Sequence, residues 1–477
     1  MARPKRGDEL SLAIDDLAFG GEGVGRVGGY VVFVRGGLPG DRLRVRLTHV
    51  RPRYGRGAIV AVEEPSPDRV EAPCPYFGRC GGCRLQHMAY PAQLAFKAKQ
   101  VADCLARIGG LSEIEVRPII GAPELYGYRN KMEFTLARGP AARRTRASED
   151  GDRAAPGVVV GLHEADRYDV VLDIEQCLLQ SDTLNRLLGE ARRAVQQRGL
   201  PVYDEESGEG LLRFLMLREG KRTGEVMANL VTSAPQLSEL TPLAEQLSAS
   251  VPEIASVMLN VNPKRASVAM GVEEYLLAGH DHIRESLGGL TFQISANSFF
   301  QTNTLQAERL FGLVEKSAAL TGVETVVDLY SGTGAISLLL ARRCRWVYGI
   351  EVTQAAVDDA VRNAKANGVT NCTFLAGEVR FVLPRLLSQR LRAEVVVADP
   401  PRAGLHPKAL KSLVALLPAR IVYLSCNPST MARDLAGLGL GGYRVQSVQP
   451  LDMFPHTPHI EAVAVLERGD GGQPHAG

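Results

Sequence analysis

The sequence predicts a multidomain chain with an N-terminal OB-like β barrel, a central α+β domain and a C-terminal doubly wound α/β domain. The chain has 477 residues, a length that corresponds to about two to four domains at roughly 100 to 200 residues each. Gly-rich turns separate short alternating runs in the first 60 residues, which is typical of a small all-β unit. From about residue 290, apolar runs alternate with helical segments, as in a parallel sheet covered by helices. We place the domains at residues 1–64, 65–285 and 286–477.

The predicted barrel carries a basic face. In the strand at 41–47, Leu43, Val45 and Leu47 share one face and arginines share the other, because strand side chains alternate. Six arginines and no acidic residue occur between positions 42 and 56, namely Arg42, Arg44, Arg46, Arg51, Arg53 and Arg56. Such a face is either simply solvated or binds nucleic acid, as small five-stranded barrels do. Residues 63–67 are expected to form a linker.

Charge and composition restrict the partners and the compartment. The whole chain has 55 Lys and Arg against 53 Asp and Glu, whereas residues 1–60 have eleven against six, so any RNA partner must be held by local basic surfaces. No window approaches 18 consecutive apolar residues and the start has no apolar leader region, so we expect a cytoplasmic protein without a membrane segment. Eight cysteines in a reducing compartment are not expected to form disulfides.

The central region contains a predicted helix at 91–108 and two strand-like runs at 131–137 and 158–161. The Arg-, Gly- and Ala-rich segment at 138–157 between them is expected to be a flexible hairpin loop. Its basic part, 138–146, is a second predicted surface for RNA. Residues 160–285 alternate strands and helices without a chemical signature.

A Gly-rich turn follows the first strand of the C-terminal domain. Asp328 is followed by Gly332-Thr333-Gly334 and a helical run, and the next strand ends at Glu351. Such a turn lets the backbone approach a ligand at the carboxyl edge of the sheet, and an acid at the end of the next strand can accept hydrogen bonds from ribose hydroxyls. Ser337 stands where a dinucleotide fingerprint needs its third glycine. The pattern therefore favours S-adenosylmethionine (SAM), and a tight helix-packing turn is the alternative.

Two further strand ends carry reactive groups. Strand four ends in Asp399-Pro400-Pro401-Arg402. The two prolines have no N–H groups, so the backbone carbonyls here are available to bind a planar base. Strand five ends in Ser425-Cys426-Asn427-Pro428. A thiolate at this edge can add to C6 of uracil and make C5 nucleophilic, and a general base must then remove the C5 proton. Glu461, at the start of the last strand, is the candidate base, although a lone Glu at a strand edge is more often structural. Cys344 and Cys372 are interpreted as structural.

With these residues the chain resembles the RNA uracil-5-methyltransferase family, and within it the iron–sulfur branch that acts on bacterial 23S rRNA. The barrel is similar to a TRAM domain, the segment 74–87 is similar to the cluster motif of the family, and 173–177 is similar to its fourth-ligand segment. The resemblance implies one [4Fe–4S] cluster on Cys74, Cys80, Cys83 and Cys177. A structural zinc site is the alternative for this set of thiolates. The expected role is structural or RNA-positioning.

The resemblance also implies the roles of individual residues. Cys426 matches the nucleophile and Glu461 the proton acceptor, while the SAM contacts fall on Gln301, Tyr330, Glu351 and Asp399. Three positions depart from the family pattern, Ser331, Ala335 and Glu378, and Glu378 is retained as a candidate contact. The implied substrate is 23S rRNA, with a tRNA T-loop uridine as the alternative. We expect a monomer without an obligate protein partner.

Two other functions are compatible with the sequence. Amino methylation of a base or protein would suit Asp-Pro-Pro but leaves Cys426 without a role. An RNA-binding protein with a decayed methyltransferase domain is disfavoured because Asp399, Cys426 and Glu461 are all present.

Overall fold

The computed structural model describes residues 4–139, 157–265 and 268–469. Most of the predicted loop at 138–157, including nearly all of the basic stretch 138–146, lies outside the described residues. Among the described helices, none combines the length and apolar character that a membrane span requires.

The N-terminal strands close into a five-stranded barrel with the order β1-β2-β3-β5-β4, which confirms the predicted barrel. Its strands are β1 (Glu9–Leu17), β2 (Glu22–Val27), β3 (Tyr30–Arg35), β4 (Arg42–Val50) and β5 (Tyr54–Glu64). Along β4 the apolar side chains are buried and the arginines exposed, as the period of two predicts. Leu43, Val45 and Leu47 thus fill the barrel interior together with residues of β1 and β3.

Acidic neighbours reduce the free charge of the basic face. Arg42 pairs with Glu64 at 3.4 Å, Arg46 with Glu9 at 2.8 Å and Arg56 with Glu22 at 3.1 Å. Arg44, Arg51 and Arg53 are exposed and form no ion pair with a described residue. The sequence window had no acid of its own, but barrel closure brings acids from other strands and from the end of β5.

The predicted linker at 63–67 is wrong, because β5 extends to Glu64 and the following residues are fixed. Ser66 is buried; its backbone N–H donates to Asp41 at 2.8 Å and its hydroxyl donates to the Pro39 carbonyl at 2.6 Å. Arg69 also pairs with Asp41, which is itself buried. The barrel is therefore joined to the next segment by a hydrogen-bonded polar cluster.

The central domain contains seven strands and two helices. The strands are β6 (Lys131–Arg138), β7 (Val158–Glu164), β8 (Arg167–Asp173), β9 (Leu212–Glu219), β10 (Val226–Thr232), β11 (Ile254–Val261) and β12 (Glu273–Gly279), and the helices are α2 (Asp182–Arg198) and α3 (Leu237–Ser250). The strands form one sheet in the order β12-β11-β10-β9-β6-β7-β8. Strands β6 and β7 pair antiparallel, with Arg138 opposite Val158, as expected for a hairpin. Both helices pack their apolar residues on one face of this sheet.

The first helix of the chain, α1 (Tyr90–Arg107), packs against the C-terminal domain although it precedes the central sheet. Its Val101 and Leu105 belong to the same buried cluster as strand residues of that domain. The hairpin of β13 (His282–Leu287) and β14 (Leu290–Ser295) likewise contributes to a C-terminal core. The segment that carries Cys74, Cys80 and Cys83, here called the cysteine-bearing segment, is therefore followed by a helix that packs on the C-terminal domain.

The C-terminal domain is doubly wound, as predicted. Its seven-stranded sheet has the order β17-β16-β15-β18-β19-β21-β20, with β21 antiparallel to both neighbours. The strands are β15 (Thr325–Leu329), β16 (Trp346–Glu351), β17 (Cys372–Ala376), β18 (Val395–Ala398), β19 (Arg420–Ser425), β20 (Tyr443–Leu451) and β21 (Glu461–Arg468). The helices are α4 (Thr304–Ala318), α5 (Ala335–Ala341), α6 (Gln354–Ala366), α7 (Val379–Ser388), α8 (Pro407–Leu416) and α9 (Pro428–Leu440). The strand order reverses between β15 and β18, where open α/β sheets bind their ligands.

Candidate active site

The glycine loop between β15 and α5 adopts a conformation that needs its glycines. Gly332 has φ +53° and Gly334 has φ +84°, and a Cβ on Gly334 would lie 3.0 Å from Ala360 and from Phe374. Tyr330 also has a positive φ, +67°, which is rare for a large side chain and marks a constrained position at a candidate functional site.

A cleft of about 50 Å³ opens above this loop at the carboxyl edge of the sheet. Gln301, Tyr330 and Asp399 all line it, together with Ser331 and Ala335. The structure thus brings together three residues that lie far apart in the sequence and were predicted to contact a cofactor.

Glu351 and Glu378 hold different positions. The Glu351 carboxylate accepts the Gly332 N–H at 3.1 Å and the Thr353 N–H at 2.8 Å, so it lies beside the glycine loop with lone pairs to spare. Glu378 follows β17 at the same edge, but it does not line the cleft and its carboxylate pairs with Arg380 at 2.6 Å.

The floor of the cleft holds two polar atoms that lack a partner in the described part of the chain, Asp328 Oδ1 and Ser331 Oγ. Burial raises the pKa of Asp328 to about 7, although Ser337 donates to its other oxygen at 2.5 Å. Buried polar atoms are normally satisfied. These two atoms therefore indicate a site that a polar ligand completes.

The pairing of β19 with β21 brings the candidate nucleophile and base together. Ser425 lies opposite Ala462 in the antiparallel register, so the next residue on one strand, Cys426, and the preceding residue on the other, Glu461, are neighbours at the sheet edge. Burial raises the pKa of the Cys426 thiol, and the nearby Glu461 and Asp399 carboxylates raise it further. Burial also raises the pKa of Asp399 to about 6, and burial together with Asp399 raises that of Glu461 to about 8.

Two functional candidates at this site, Arg402 and His459, were missed from the sequence. The Arg402 guanidinium lowers the pKa of the Cys426 thiol by its charge and by hydrogen bonding, and it contacts His459 Nδ1 at 3.0 Å. Both residues stand beside recognised motifs, Arg402 after Asp-Pro-Pro and His459 two positions before Glu461. That proximity was the available signal.

The loop at 452–459, which leads into β21, is held by α1. Lys97 donates to the Asp452 carboxylate at 2.6 Å in a fully buried ion pair. Gln93 accepts the His456 N–H at 2.9 Å. His456 has φ +66°, so this strained turn depends on the contacts that surround it.

The cysteine-bearing segment contacts the same loop. The backbone N–H groups of Arg84 and Leu85, which directly follow Cys83, both donate to the His456 carbonyl at 2.9 Å. The chain around the cysteines is thus joined to the loop that precedes Glu461.

The four candidate ligand cysteines, Cys74, Cys80, Cys83 and Cys177, line one cavity of about 350 Å³. Burial raises the thiol pKa of Cys80, Cys83 and Cys177, that of Cys83 to about 12, and neighbouring cysteines of the set add to each shift. Within the described ranges, no group of three or more His, Cys, Asp or Glu side chains has the geometry to hold a metal ion. The convergence of the cysteines agrees with the sequence, but the structure does not show the [4Fe–4S] cluster or the zinc alternative.

Comparison with known proteins decides the family. The chain is 42% identical to an uncharacterised RNA methyltransferase of Halalkalibacterium halodurans over 97% of both chains, and 42% identical to one of Chlorobaculum tepidum over 98% of both. Residues 268–469 match the tRNA (uracil-5-)-methyltransferase model. The chain belongs to the RNA uracil-5-methyltransferase family. Residues 3–60 match the TRAM domain model, which confirms that expectation too.

A solved structure extends the similarity to the whole fold. The crystal structure of the Pyrococcus abyssi tRNA (uracil-54, C5)-methyltransferase in complex with S-adenosyl-L-homocysteine is 31% identical, with a TM-score of 0.73, and the match covers 96% of this chain and 100% of that one. Dependence on SAM follows from membership of this family. The residues fit SAM, because Glu351 has free lone pairs and the cleft floor has unsatisfied acceptors.

Proposed function

We propose that this chain methylates carbon 5 of a uridine in RNA, with Cys426 as nucleophile and Glu461 as general base. The observation that carries the proposal is the β19–β21 register, which makes these two residues neighbours at the sheet edge. Asp399, which raises the pKa of both, lines the cleft. A thiol and a carboxyl group at one sheet edge, both affected by Asp399, are the groups that C5 methylation of uracil requires.

The mechanism follows from the chemistry of these groups. The Cys426 thiolate adds to C6 of uracil, which places the displaced electron pair on C5 and C4–O and makes C5 nucleophilic. Bound SAM would supply the electrophilic methyl group: the bond from its sulfur to the methyl carbon would break as the bond to C5 forms, and S-adenosyl-L-homocysteine would leave. Glu461 then accepts the proton from C5, the C5–C6 double bond forms again, and the bond from C6 to the Cys426 sulfur breaks. The thiolate is regenerated and Glu461 carries the proton, which it returns to solvent.

The proposed SAM contacts are Gln301, Tyr330, Glu351 and Asp399. Three of them line the cleft, and the Glu351 carboxylate lies at the end of β16, where it would accept hydrogen bonds from ribose hydroxyls. Glu378 is a weaker candidate, because it would first have to leave Arg380.

We also propose that Cys74, Cys80, Cys83 and Cys177 hold one [4Fe–4S] cluster. Their convergence on one cavity supports a shared group. A single tetrahedral ion would need all four sulfurs within its first shell, whereas a four-iron cube accepts them at wider separations. Because Arg84 and Leu85 hold the His456 carbonyl, the proposed role is structural.

Iron and acid-labile sulfide analysis of anaerobically purified protein tests whether the cysteines hold an iron–sulfur cluster. Zinc without sulfide would favour the alternative, and Cys177→Ser should lose the metal.

The proposed substrate is 23S rRNA, on the basis of the barrel and the cysteine motif. A tRNA T-loop uridine is the second candidate, supported by the similarity to the P. abyssi tRNA enzyme. In either case the target base must leave its stack to reach Cys426. Mapping 5-methyluridine in rRNA and tRNA from a deletion strain distinguishes the two candidates.

A covalent trap tests the chemistry itself. RNA that carries 5-fluorouracil should form a stable adduct with the wild-type chain in the presence of SAM, because fluorine at C5 cannot be removed as a proton. Cys426→Ala should form no adduct and transfer no methyl group, yet should still bind SAM and RNA. Cys372→Ala, altered at the opposite sheet edge, is the matched control. Methyl transfer by Cys426→Ala would favour amino methylation, and a wild-type chain that binds no SAM would indicate a decayed domain.

A further inference from the structure

An arginine–histidine pair, Arg402 and His459, lies near Cys426, and the proposed mechanism does not explain its role. A nitrogen of the Arg402 guanidinium lies 3.0 Å from His459 Nδ1. Both residues keep exposed surface in the free protein, although the imidazole ring of His459 is partly shielded from solvent. A single hydrogen bond of this kind makes only a modest net contribution to stability, so we considered a functional role for the pair.

The chemistry of the pair fixes the state of the imidazole. A guanidinium has only donors and stays charged in proteins, so His459 Nδ1 must be the acceptor. The ring is then neutral and carries its proton on Nε2. Consistently, burial and the neighbouring positive charges, chiefly Arg402, lower the pKa of His459 to about 4.

Both partners are held in place by their surroundings. The Arg402 carbonyl accepts hydrogen bonds from Asn427 at 3.0 Å and from Thr430 at 3.1 Å, which attach it to the start of α9. On the other side, the backbone N–H of His459 donates to the Thr457 hydroxyl at 3.3 Å, and the Phe454 ring meets the imidazole edge-on with the ring centroids 6.0 Å apart. The pair is therefore built from two anchored segments.

The charges around the Cys426 sulfur show what the pair can do. The groups that affect this thiol are Glu461 and Asp399, which oppose its ionisation, and Arg402, which favours it. A guanidinium on a flexible side chain helps only if it stays near the sulfur. His459 supplies an acceptor that limits where the guanidinium can go.

We propose that His459 is a positioning residue, which holds the Arg402 guanidinium beside the Cys426 sulfur and so favours the thiolate. The inference rests on the proposed function for its meaning, because it assigns a role in activating the nucleophile. It names no new substrate contact for His459.

The pH profile of Cys426 alkylation by iodoacetamide tests the proposal without RNA or SAM. Mass spectrometry of the peptide that contains Cys426 follows each variant of the full chain. Removing an adjacent opposite charge shifts a pKa by about one unit or more, so Arg402→Met should alkylate about tenfold more slowly at a pH below the thiol pKa. His459→Phe keeps a ring but removes the acceptor, and it should slow alkylation by about threefold, part of the same shift.

A conservative variant separates positioning from general packing. Asn offers an oxygen acceptor close to the place of Nδ1, so His459→Asn should restore the wild-type profile. His280→Phe, far from the sulfur in sequence and placed between β12 and β13, controls for loss of a histidine. In methyl-transfer assays His459→Phe should lower kcat and leave the KM for RNA unchanged.

The outcomes are distinct. A His459→Phe profile that coincides with the wild-type profile overturns the proposal, as does a His459→Asn profile that matches that of His459→Phe. Circular dichroism checks that each variant folds, and if His459→Phe does not, His459→Ala against His459→Asn makes the same comparison. If the wild-type chain transfers no methyl group to RNA, the proposed function fails, while the alkylation profiles still decide the role of the pair.

Discussion

The rate of proton removal by Glu461 should rise steeply with pH. Glu461 is buried, and burial together with the Asp399 carboxylate raises its pKa to about 8. A general base acts only when it is ionised. A group with this pKa is about 9% ionised at pH 7 and about 91% ionised at pH 9, so the step should accelerate about tenfold over that interval.

The assay isolates this step from the ionisation of Cys426. In the proposed mechanism the enzyme is linked to RNA through the Cys426 sulfur after methyl transfer, and decay of this adduct would require only removal of the C5 proton and loss of the thiolate. Rapid quenching and denaturing gels can measure the decay between pH 6.5 and pH 9. Glu461→Gln should leave the adduct intact across the range. A pH-independent decay in the wild-type chain, or equal decay in Glu461→Gln, would refute the reasoning.

The same substitution has an expected effect on stability, with a definite sign. The pKa of Glu461 is raised from 4.5 to about 8 on folding, so the stability contributed by its protonated form is complete below pH 4.5 and is lost as the pH rises towards 8. Gln cannot ionise, so Glu461→Gln should melt at a higher temperature than the wild-type chain at pH 8 to 9. Loss of activity together with a higher melting temperature excludes unfolding as the cause.

Three further predictions concern the supports of the site. Asn130→Ala should weaken SAM binding about tenfold in calorimetric titration. The Asn130 side-chain amide donates to the backbone carbonyl of Gln301 and to the Thr304 hydroxyl at 2.9 Å each, and so holds the proposed SAM contact Gln301 in place. Lys97→Met should lower the free energy of unfolding in urea by about 3 to 5 kcal/mol, because it leaves the Asp452 carboxylate buried without its cation. Replacing the three unpaired barrel arginines with Gln should reduce the slope of log K for RNA against log salt by about two; these are Arg44, Arg51 and Arg53.

Matched controls accompany these variants. Asn371→Ala removes an amide that donates to carbonyls at the opposite sheet edge, and it should leave SAM affinity unchanged. Adding Asp452→Leu to Lys97→Met should recover much of the lost stability. Gln at the paired arginines, Arg42, Arg46 and Arg56, should change the salt slope less than Gln at the unpaired ones. Equal effects within any of these comparisons would contradict the role assigned.

Much of the fold could be predicted because it depends on local patterns. The strands at Thr325–Leu329 and Val395–Ala398 have the bounds that their apolar runs predict, since strands buried on both faces are predominantly apolar. Asp328, which is buried in the first of these strands, is the charged exception and belongs to the candidate site. The barrel strand β4 likewise follows its period of two. The prediction of a linker at 63–67 was wrong, because the burial of Ser66 depends on a hydrogen bond to Asp41, a residue 25 positions away.

The candidate site was predicted where a residue type and its strand position coincide. Cys426 and Asp399 follow buried strands, so their place at the carboxyl edge could be read from the sequence. Arg402 and His459 could not be assigned, because their relation is a single contact between residues 57 positions apart. The ion pairs that neutralise Arg42 and Arg46 were invisible for the same reason.

Strand periodicity and glycine turns are local properties of the chain, so the positions of the reactive groups at strand ends follow from the order of residues alone. Which of those groups meet depends on long-range packing. The antiparallel insertion of β21 beside β19 brings Glu461 next to Cys426, and α1 holds the preceding loop through Lys97 and Gln93. Both arrangements depend on contacts between distant segments, whose free energy comes from burial and pairing that no local window of the sequence contains.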